Sequence, residues 1–271
     1  MAISEKIELL GKGLYTDIPD VLTLSSIPTA SELDYVGSED FDKTMLDSIL
    51  PKAVAEDIDF RKLLEIDYYW ICRCLRILNY GPYFTTNTIY CTNCGEVSQG
   101  EFQVNLNTIA CKPLPENFVN DIIIYKDEFI DFDDDIHIKL PTIQQVLNST
   151  KDKLFGAENG PRNSELARIC YMISSIRDNT NLTPMDIKLI VQRELSAADY
   201  AVLKTRVSEL TDYGLRAGGS TQCPKCHKEG AFIALVNDLF FRPTLGDLRQ
   251  WKLDRSRRGM EDVSSDTTTT I

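Results

Sequence analysis

The chain has no apolar run near the roughly 20 residues that a bilayer-spanning helix needs, which excludes an integral membrane protein. Met1 to Leu10 alternates charged and apolar residues with no continuous hydrophobic stretch, so it does not read as a secretory leader. Histidine is scarce: His137 and His227 are the only two, which leaves little material for a general base. A Gly-rich phosphate loop, a nucleophile elbow, a His-Glu-x-x-His pair and the kinase motif set are all missing. These absences point away from an enzyme. Positive charge is also short, with 29 Lys+Arg against 41 Asp+Glu and a net charge of −12, the wrong sign for non-specific attraction to phosphates. Disorder is excluded in turn, because 11 Tyr, 11 Phe and 2 Trp accompany many aliphatic residues in 271 positions. That length buries a sizeable core.

The charge is uneven. From Arg242 to Arg258 there are six basic and two acidic residues, a local +4, so the remainder sums to about −16. Such a strip suits an acidic protein surface, or is simply a solvated terminal helix.

Eight cysteines are present, and without a leader the expected compartment is reducing, so disulfides are not expected. Four of them form two matching pairs, Cys91-Thr92-Asn93-Cys94-Gly95 and Cys223-Pro224-Lys225-Cys226-His227. Two residues between thiols let one tight turn aim both sulfurs at a single tetrahedral ion. Gly95 in the first pair, and Gly230 just after the second, offer the positive φ that such a knuckle needs. Two such pairs predict a structural Zn2+ held by Cys91, Cys94, Cys223 and Cys226. A set of four sulfurs leaves no open position for water activation. His227 adjoins the second pair and is the alternative ligand. Because 128 residues lie between Cys94 and Cys223, the ion would clamp two distant pieces of chain. Neither pair opens an evident helix after a buried strand, which argues against a thioredoxin-like redox site. Cys72, Cys74 and Cys170 fall in apolar helical patterns and read as small core residues.

The fold class expected is α+β: a mixed α/β body stapled by a four-cysteine zinc site, with an inserted helical subdomain. Residues 1–141 form the N-terminal α/β part with the first knuckle, 142–217 the helical insertion, 218–253 the second knuckle and closing strands, and 254–271 a flexible tail. Within this plan Val21 to Leu24 is strand-like, and Asp40 to Leu50 is a helix stopped by Pro51. The spacing of Leu64, Ile71, Leu75 and Leu78 predicts a core helix over about 60–79, ended by Gly81-Pro82. Phe102, Val104 and Leu106 alternate as a half-buried strand. Residues 122–125 and 136–140 are two more strands, joined by the acidic run Asp127 to Asp135. That run lacks the glycine and terminal glutamate of an EF-hand loop and reads as a hairpin turn, with His137 solvent-facing on the strand that follows. Leu166, Ile169, Ile173 and Ile176 trace a helical stripe capped by Ser164. Thr183-Pro184 and Ser196 to Asp199 open two further helices, the second with the stripe Tyr200, Leu203, Val207 and Leu210. Ala231 to Val236 is a strand, followed by Phe240-Phe241-Arg242-Pro243.

The order of these features resembles the baseplate hub and baseplate hub assembly proteins of T4-type contractile-tailed bacteriophages. A short β segment, Val21 to Leu24, leads into Ile27-Pro28-Thr29-Ala30-Ser31-Glu32-Leu33 and the helix Asp40 to Leu50. Ile58-Asp59-Phe60 and Leu63 to Asp67 then feed Tyr68 to Arg76. The sharpest piece is Leu75-Arg76-Ile77-Leu78-Asn79-Tyr80-Gly81-Pro82-Tyr83, with Cys91 to Cys94 next in order, and the late Cys-Pro-x-Cys with Phe-Phe-Arg-Pro completes the pattern. The resemblance spans about the first hundred residues and the last fifty. It departs at Ser25-Ser26-Ile27, where the family often carries an arginine near the proline. It implies a non-enzymatic role in tail and virion morphogenesis, as a hub component or hub assembly factor whose partners are other tail and baseplate proteins. The setting it implies is the host cytoplasm during assembly, or the virion tail baseplate. The twin knuckles alone would also allow a zinc-ribbon nucleic-acid-binding or transcription module. Net acidity and the lack of basic residues interleaved with aromatics around either pair speak against that.

Overall fold

The computed structural model describes residues 4–27, 40–156, 163–216, 218–233, 236 and 238–254. Helices and antiparallel sheets both occur, the α+β class expected. Among the described residues no helix is long and apolar enough to cross a membrane.

The chain opens with β1 (Ser4–Glu8) and β2 (Val21–Ser25), paired antiparallel from Ser4↔Ser25 to Glu8↔Val21. Alternation turns Leu22 and Leu24 inward, as a strand with one buried face requires. A helical run, α1, follows as Phe41–Thr44, a π-helical turn Met45–Ile49, and Leu50–Ala53. Pro51 does not stop this helix, contrary to expectation. The Leu50 N–H reaches back to the Met45 carbonyl, and this wider register accommodates the residue that cannot donate.

The central helix, α2, is Glu65–Tyr80. It starts later than the periodicity predicts, because Phe60–Lys62 is a separate 3-10 turn and Leu64 is extended. The backbone there serves a crossing segment instead. Glu65 N–H donates to the Pro141 carbonyl and Ile143 N–H to the Leu63 carbonyl, while Leu64 bridges Thr142. Gly81 ends the helix at φ +78, and a Cβ there would lie 2.3 Å from Trp251 Cγ.

Helix α2 stands between two cores. Ile71, Cys72 and Leu75 face the first, together with Leu22 and Leu24, the α1 residues Met45 and Ile49, and Phe240 and Phe241. Leu64 and Ile66 at its start face the second. Glu65 joins the lobes through a two-pronged pair with Arg168, at 2.6 and 3.2 Å.

After α2 come β3 (Tyr83–Tyr90), β4 (Val97–Asn105) and the short β5 (Cys111–Lys112). The second lobe then builds from β6 (Ile122–Ile124), β7 (Ile136–Ile138), α4 (Ser164–Met172), β8 (Ile173–Ile176), α5 (Pro184–Arg193) and α6 (Ala197–Thr211), while α3 (Ile143–Lys151), between β7 and α4 in the chain, buries Ile143 and Leu147 in the first core. Strands β6, β7 and β8 form one antiparallel sheet, so the second core draws on chain from both sides of residue 142.

The stripe from Leu166 to Ile176 is half helix and half strand. Helix α4 ends at Met172, and Ile173 and Ile176 pair with Ile138 and Ile136 of β7, where β-branched side chains pack well. The α4 cap is Asn163, whose side chain accepts from Leu166 N–H, rather than Ser164. Thr183 and Ser196 cap α5 and α6 as expected, each closing a reciprocal box with the aspartate three residues on. Leu203, Val207 and Leu210 of the predicted α6 stripe are buried, and Tyr200 is half-buried. His137 is half-buried rather than solvent-facing, with Nδ1 3.3 Å from Asp121.

Strand β9 (Gly214–Leu215) pairs with β5 and returns the chain to the first lobe. Then follow β10 (Gly218–Gln222), β11 (Glu229–Ile233), a 3-10 turn Asp238–Phe241, and a helix α7 over 245–254. Residues 28–33 of the family-like segment, residues 234–235 of the expected strand, and the expected tail beyond residue 254 lie outside the described residues.

This closing segment is latched by Arg76, whose side chain is fully buried. Its guanidinium donates to the carbonyls of Phe240 (2.7 Å), Gly81 (2.8 Å) and Tyr83 (2.7 Å). Five donors in a rigid fork suit one side chain to three backbone acceptors on separate elements.

Candidate metal centre

The four cysteines sit in the turns of two β-hairpins that lie side by side. Residues 91–96 connect β3 to β4, and residues 223–228 connect β10 to β11. The hairpins share one antiparallel sheet of order β10-β11-β3-β4, joined where Ala231 pairs with Tyr90. Sheet pairing therefore brings together two knuckles that the sequence separates by 128 residues.

The knuckles repeat each other bond for bond. In the first, Cys91 N–H donates to the Glu96 carbonyl (2.9 Å) and Gly95 N–H to the Cys91 carbonyl (2.9 Å). In the second, Cys223 N–H donates to Lys228 (2.7 Å) and His227 N–H to Cys223 (2.9 Å). Gly95 has φ +71 and His227 φ +58, so the residue after each second cysteine is left-handed. The expectation that Gly230 relaxes the second turn is corrected here, since His227 itself takes the strained position. Gly230 instead permits close approach: a Cβ there would meet Ile89 Cγ2 at 2.5 Å.

All four Sγ atoms lie within 4.8 Å of one another. Cys91 and Cys226 are 3.5 Å apart, Cys94 and Cys223 3.9 Å, against about 2.05 Å for a disulfide. Ligands about 2.3 Å from the centre of a tetrahedron stand about 3.8 Å from each other, so the two observed separations bracket that spacing. The group can hold a metal ion, and it does not include His227. Cys91 and Cys223 are buried, Cys226 is half-buried and Cys94 is exposed. The site thus sits at the rim of the sheet, anchored on its inner side.

Backbone amides prepare the sulfurs for negative charge. N–H groups of Cys94 and Asn93 hold the Cys91 thiol below its ordinary range, and those of Cys226 and Lys225 do the same for Cys223. At Cys94 the Glu96 amide pulls down, but desolvation and the sulfurs of Cys91, Cys226 and Cys223 push the thiol up to about 11. Four sulfurs this close repel as thiolates, and a divalent cation is the group that relieves the repulsion. Around the knuckles Lys225 pairs with Glu96, and Lys228 donates to Asn93 at 3.1 Å, so these bases are engaged locally.

The remaining cysteines behave differently. Burial drives the thiols of Cys74 and Cys170 up to about 12 and raises Cys72 and Cys111 as well, which keeps them protonated. The acidic run between β6 and β7 brings together no metal-binding group among the described residues. Arg206 engages its Glu128 and Arg177 its Asp134. Compared with known proteins, the chain matches no family model, no curated protein and no solved structure.

Proposed function

We propose that Cys91, Cys94, Cys223 and Cys226 hold a structural zinc ion, and that the protein is a non-enzymatic part of contractile-tail morphogenesis, a baseplate hub component or hub assembly factor. The observation that carries the metal reading is the convergence of four sulfurs from two hairpins with the same knuckle geometry. Thiolate sulfur with tetrahedral spacing selects zinc over the harder cations. A closed set of four cysteines is a structural set, and it fastens the ends of the second lobe to the first.

The baseplate reading is supported by the ordered resemblance through Leu75 to Tyr83, the two cysteine pairs, and Phe240 to Pro243. Arg76 and Phe240, both within those motifs, are hydrogen-bonded partners in the fold. A stiff, metal-closed scaffold with an acidic body and a basic terminal strip suits a protein that works by presenting surfaces. Quantitative mass spectrometry on purified particles, beside the soluble fraction of infected cells, tests this. Stoichiometric peptides in the particle make it a hub component, and presence in the soluble fraction alone makes it an assembly factor. Absence from any phage-producing cell refutes the reading.

The paired-hairpin ribbon favours one rival, a nucleic-acid-binding zinc ribbon. Here Lys225 and Lys228 are held by Glu96 and Asn93, and the net charge is −12. A salt titration of DNA and RNA binding separates the two, since phosphate contacts weaken steeply with ionic strength.

A further inference from the structure

Strand β1 keeps one edge open. Lys6 stands opposite Thr23 in the β1–β2 ladder, and Thr23 turns both of its backbone groups away from Lys6. Its N–H donates to Glu56 Oε2 (2.9 Å) and its carbonyl accepts from Ala55 N–H (3.0 Å). Facing residues in an antiparallel pair exchange both hydrogen bonds or neither, so Lys6 turns its N–H and C=O away from β2 as well. The same alternation holds at the end of the strand. Leu9 N–H reaches the Asp20 carbonyl (2.8 Å) on the β2 side, and the Glu8 carbonyl accepts from the Trp70 indole (3.1 Å) on the other. Residues 54–56 cover the outer edge of β2, with Leu24 bridging Val54. Among the described residues no strand pairs with the outer edge of β1, and the backbone groups of Lys6 have no partner.

Residues 5–10 line a groove of about 870 Å³, shared with Trp70, Arg73 and Ile77 of α2 and with Leu114, Pro115 and Phe118. Arg73 is 8% exposed, and its guanidinium lies 4.9 Å from the Trp70 ring centroid. Nε and Nη2 both donate to the Leu106 carbonyl, at 3.2 and 3.0 Å. Among the described residues Nη1 has no acceptor and no carboxylate pairs with the side chain. A buried cation without a counter-charge is costly, and an anion entering the groove relieves it. The rim selects no sign, since it carries Lys6 and Lys12 against Glu5, Glu8 and Glu116, with Glu8 tied to Lys12 at 3.0 Å. The selection comes from Arg73 within.

We propose that β1 receives an extended segment of a partner protein as a further strand, with an aspartate or glutamate of that segment on Arg73. The open edge selects a polypeptide in strand form, because a row of unpaired N–H and C=O groups is the complement of another backbone. The buried guanidinium selects the acid, since its free Nη1 joins a carboxylate in a charge-assisted bond. Alternation along the docked strand sends every second side chain toward α2, so apolar residues two places from the acid pack on Trp70 and Ile77. The ladder holds β1 and the Leu106 carbonyl holds Arg73 before docking, which lowers the ordering cost. This assignment is independent of both the metal and the baseplate readings.

Selection of a random heptapeptide library on the immobilised full chain tests it. Enriched peptides carry an acidic residue with β-branched or aromatic residues two places away, and a synthetic peptide of that consensus binds in fluorescence anisotropy. Arg73→Gln keeps a donor for Leu106 and weakens that binding about tenfold or more; on this variant, changing the peptide's acid to its amide costs nothing further. Lys6→Pro abolishes binding, and because the lost N–H points away from β2, a proline there spares the ladder. Unchanged thermal midpoints show that both variants are folded. In hydrogen exchange on the unaltered chain, saturating peptide slows the Lys6 and Glu8 amides and leaves Ile7 as it was. The proposal is overturned by no enrichment on the wild-type chain, by enriched peptides that lack an acid, or by binding that survives Lys6→Pro. Concentration-dependent self-association that itself protects the Lys6 amide also overturns it and assigns the edge to a second copy.

Discussion

Replacing Arg76 by methionine keeps most of the side-chain volume and removes the fork that joins α2 to the closing segment. Three carbonyls, on Phe240, Gly81 and Tyr83, then lose their donor inside the protein. Each unsatisfied buried acceptor costs about 1–3 kcal/mol, and the apolar replacement returns part of that, so the net loss is about 4 kcal/mol. For a chain of this size a loss of that magnitude lowers the melting temperature by about 8–16 °C. Lysine, a single point charge, recovers only part of the loss. The fold supplies its own reporter, because Trp251 of α7 lies directly over Gly81. In a Trp70→Phe background, fluorescence during urea unfolding follows that docked indole alone. The expected result is a destabilised variant whose Trp251 emission shifts before global unfolding. If Arg76→Met melts within about 2 °C of its parent with unchanged emission, the latch makes no net contribution and the reasoning fails.

Other perturbations have equally definite outcomes. Cys94→Ser abolishes stoichiometric zinc, measured by elemental analysis. It also releases a closed loop of about 130 residues whose constraint is worth about 5 kcal/mol, lowering the melting temperature by about 10–20 °C. His227→Gly relieves a left-handed residue, so stability holds or rises by about 1 kcal/mol while zinc content stays unchanged; loss of zinc would make His227 a ligand. Burial raises the Asp67 pKa above its ordinary 3.8, so the folded state binds the proton more tightly than the unfolded chain. The stability this group contributes is then complete below its unfolded pKa and is lost as pH rises through the folded value. Asp67→Asn, still able to accept from Leu10 and Gly11, flattens that decline in pH-dependent melting; an unchanged profile would rule Asp67 out as its source.

Local signals were the legible part of the chain. The four clustered cysteines announce themselves by spacing, and the caps at Thr183 and Ser196 by the aspartate that answers each. What the sequence could not display was competition from distant backbone. Leu63 and Leu64 leave the helical pattern to meet residues 142–143, and Ile173 to Ile176 leave it to join β7. Pro51 misleads because a π register, set by Leu50 and Met45, carries no mark in composition. Gly230 stands where spacing predicts a left-handed turn, but the structure needs glycine there for proximity to Ile89. Arg76 stands out in the family-like motif, yet its role depends on a carbonyl 164 residues away.

The separation of the two knuckles also sets a timetable. During synthesis Cys91 and Cys94 leave the ribosome well before Cys223 and Cys226. At about 5–20 residues per second the interval is roughly 6–26 s. While that stretch is being made the first hairpin offers two thiols and an unpaired strand edge, and the second lobe, lying between the knuckles in sequence, has emerged by the time Cys223 does. On the zinc reading, capture by four sulfurs waits for the second knuckle, and a cell short of the ion accumulates chains with a finished second lobe and an open sheet.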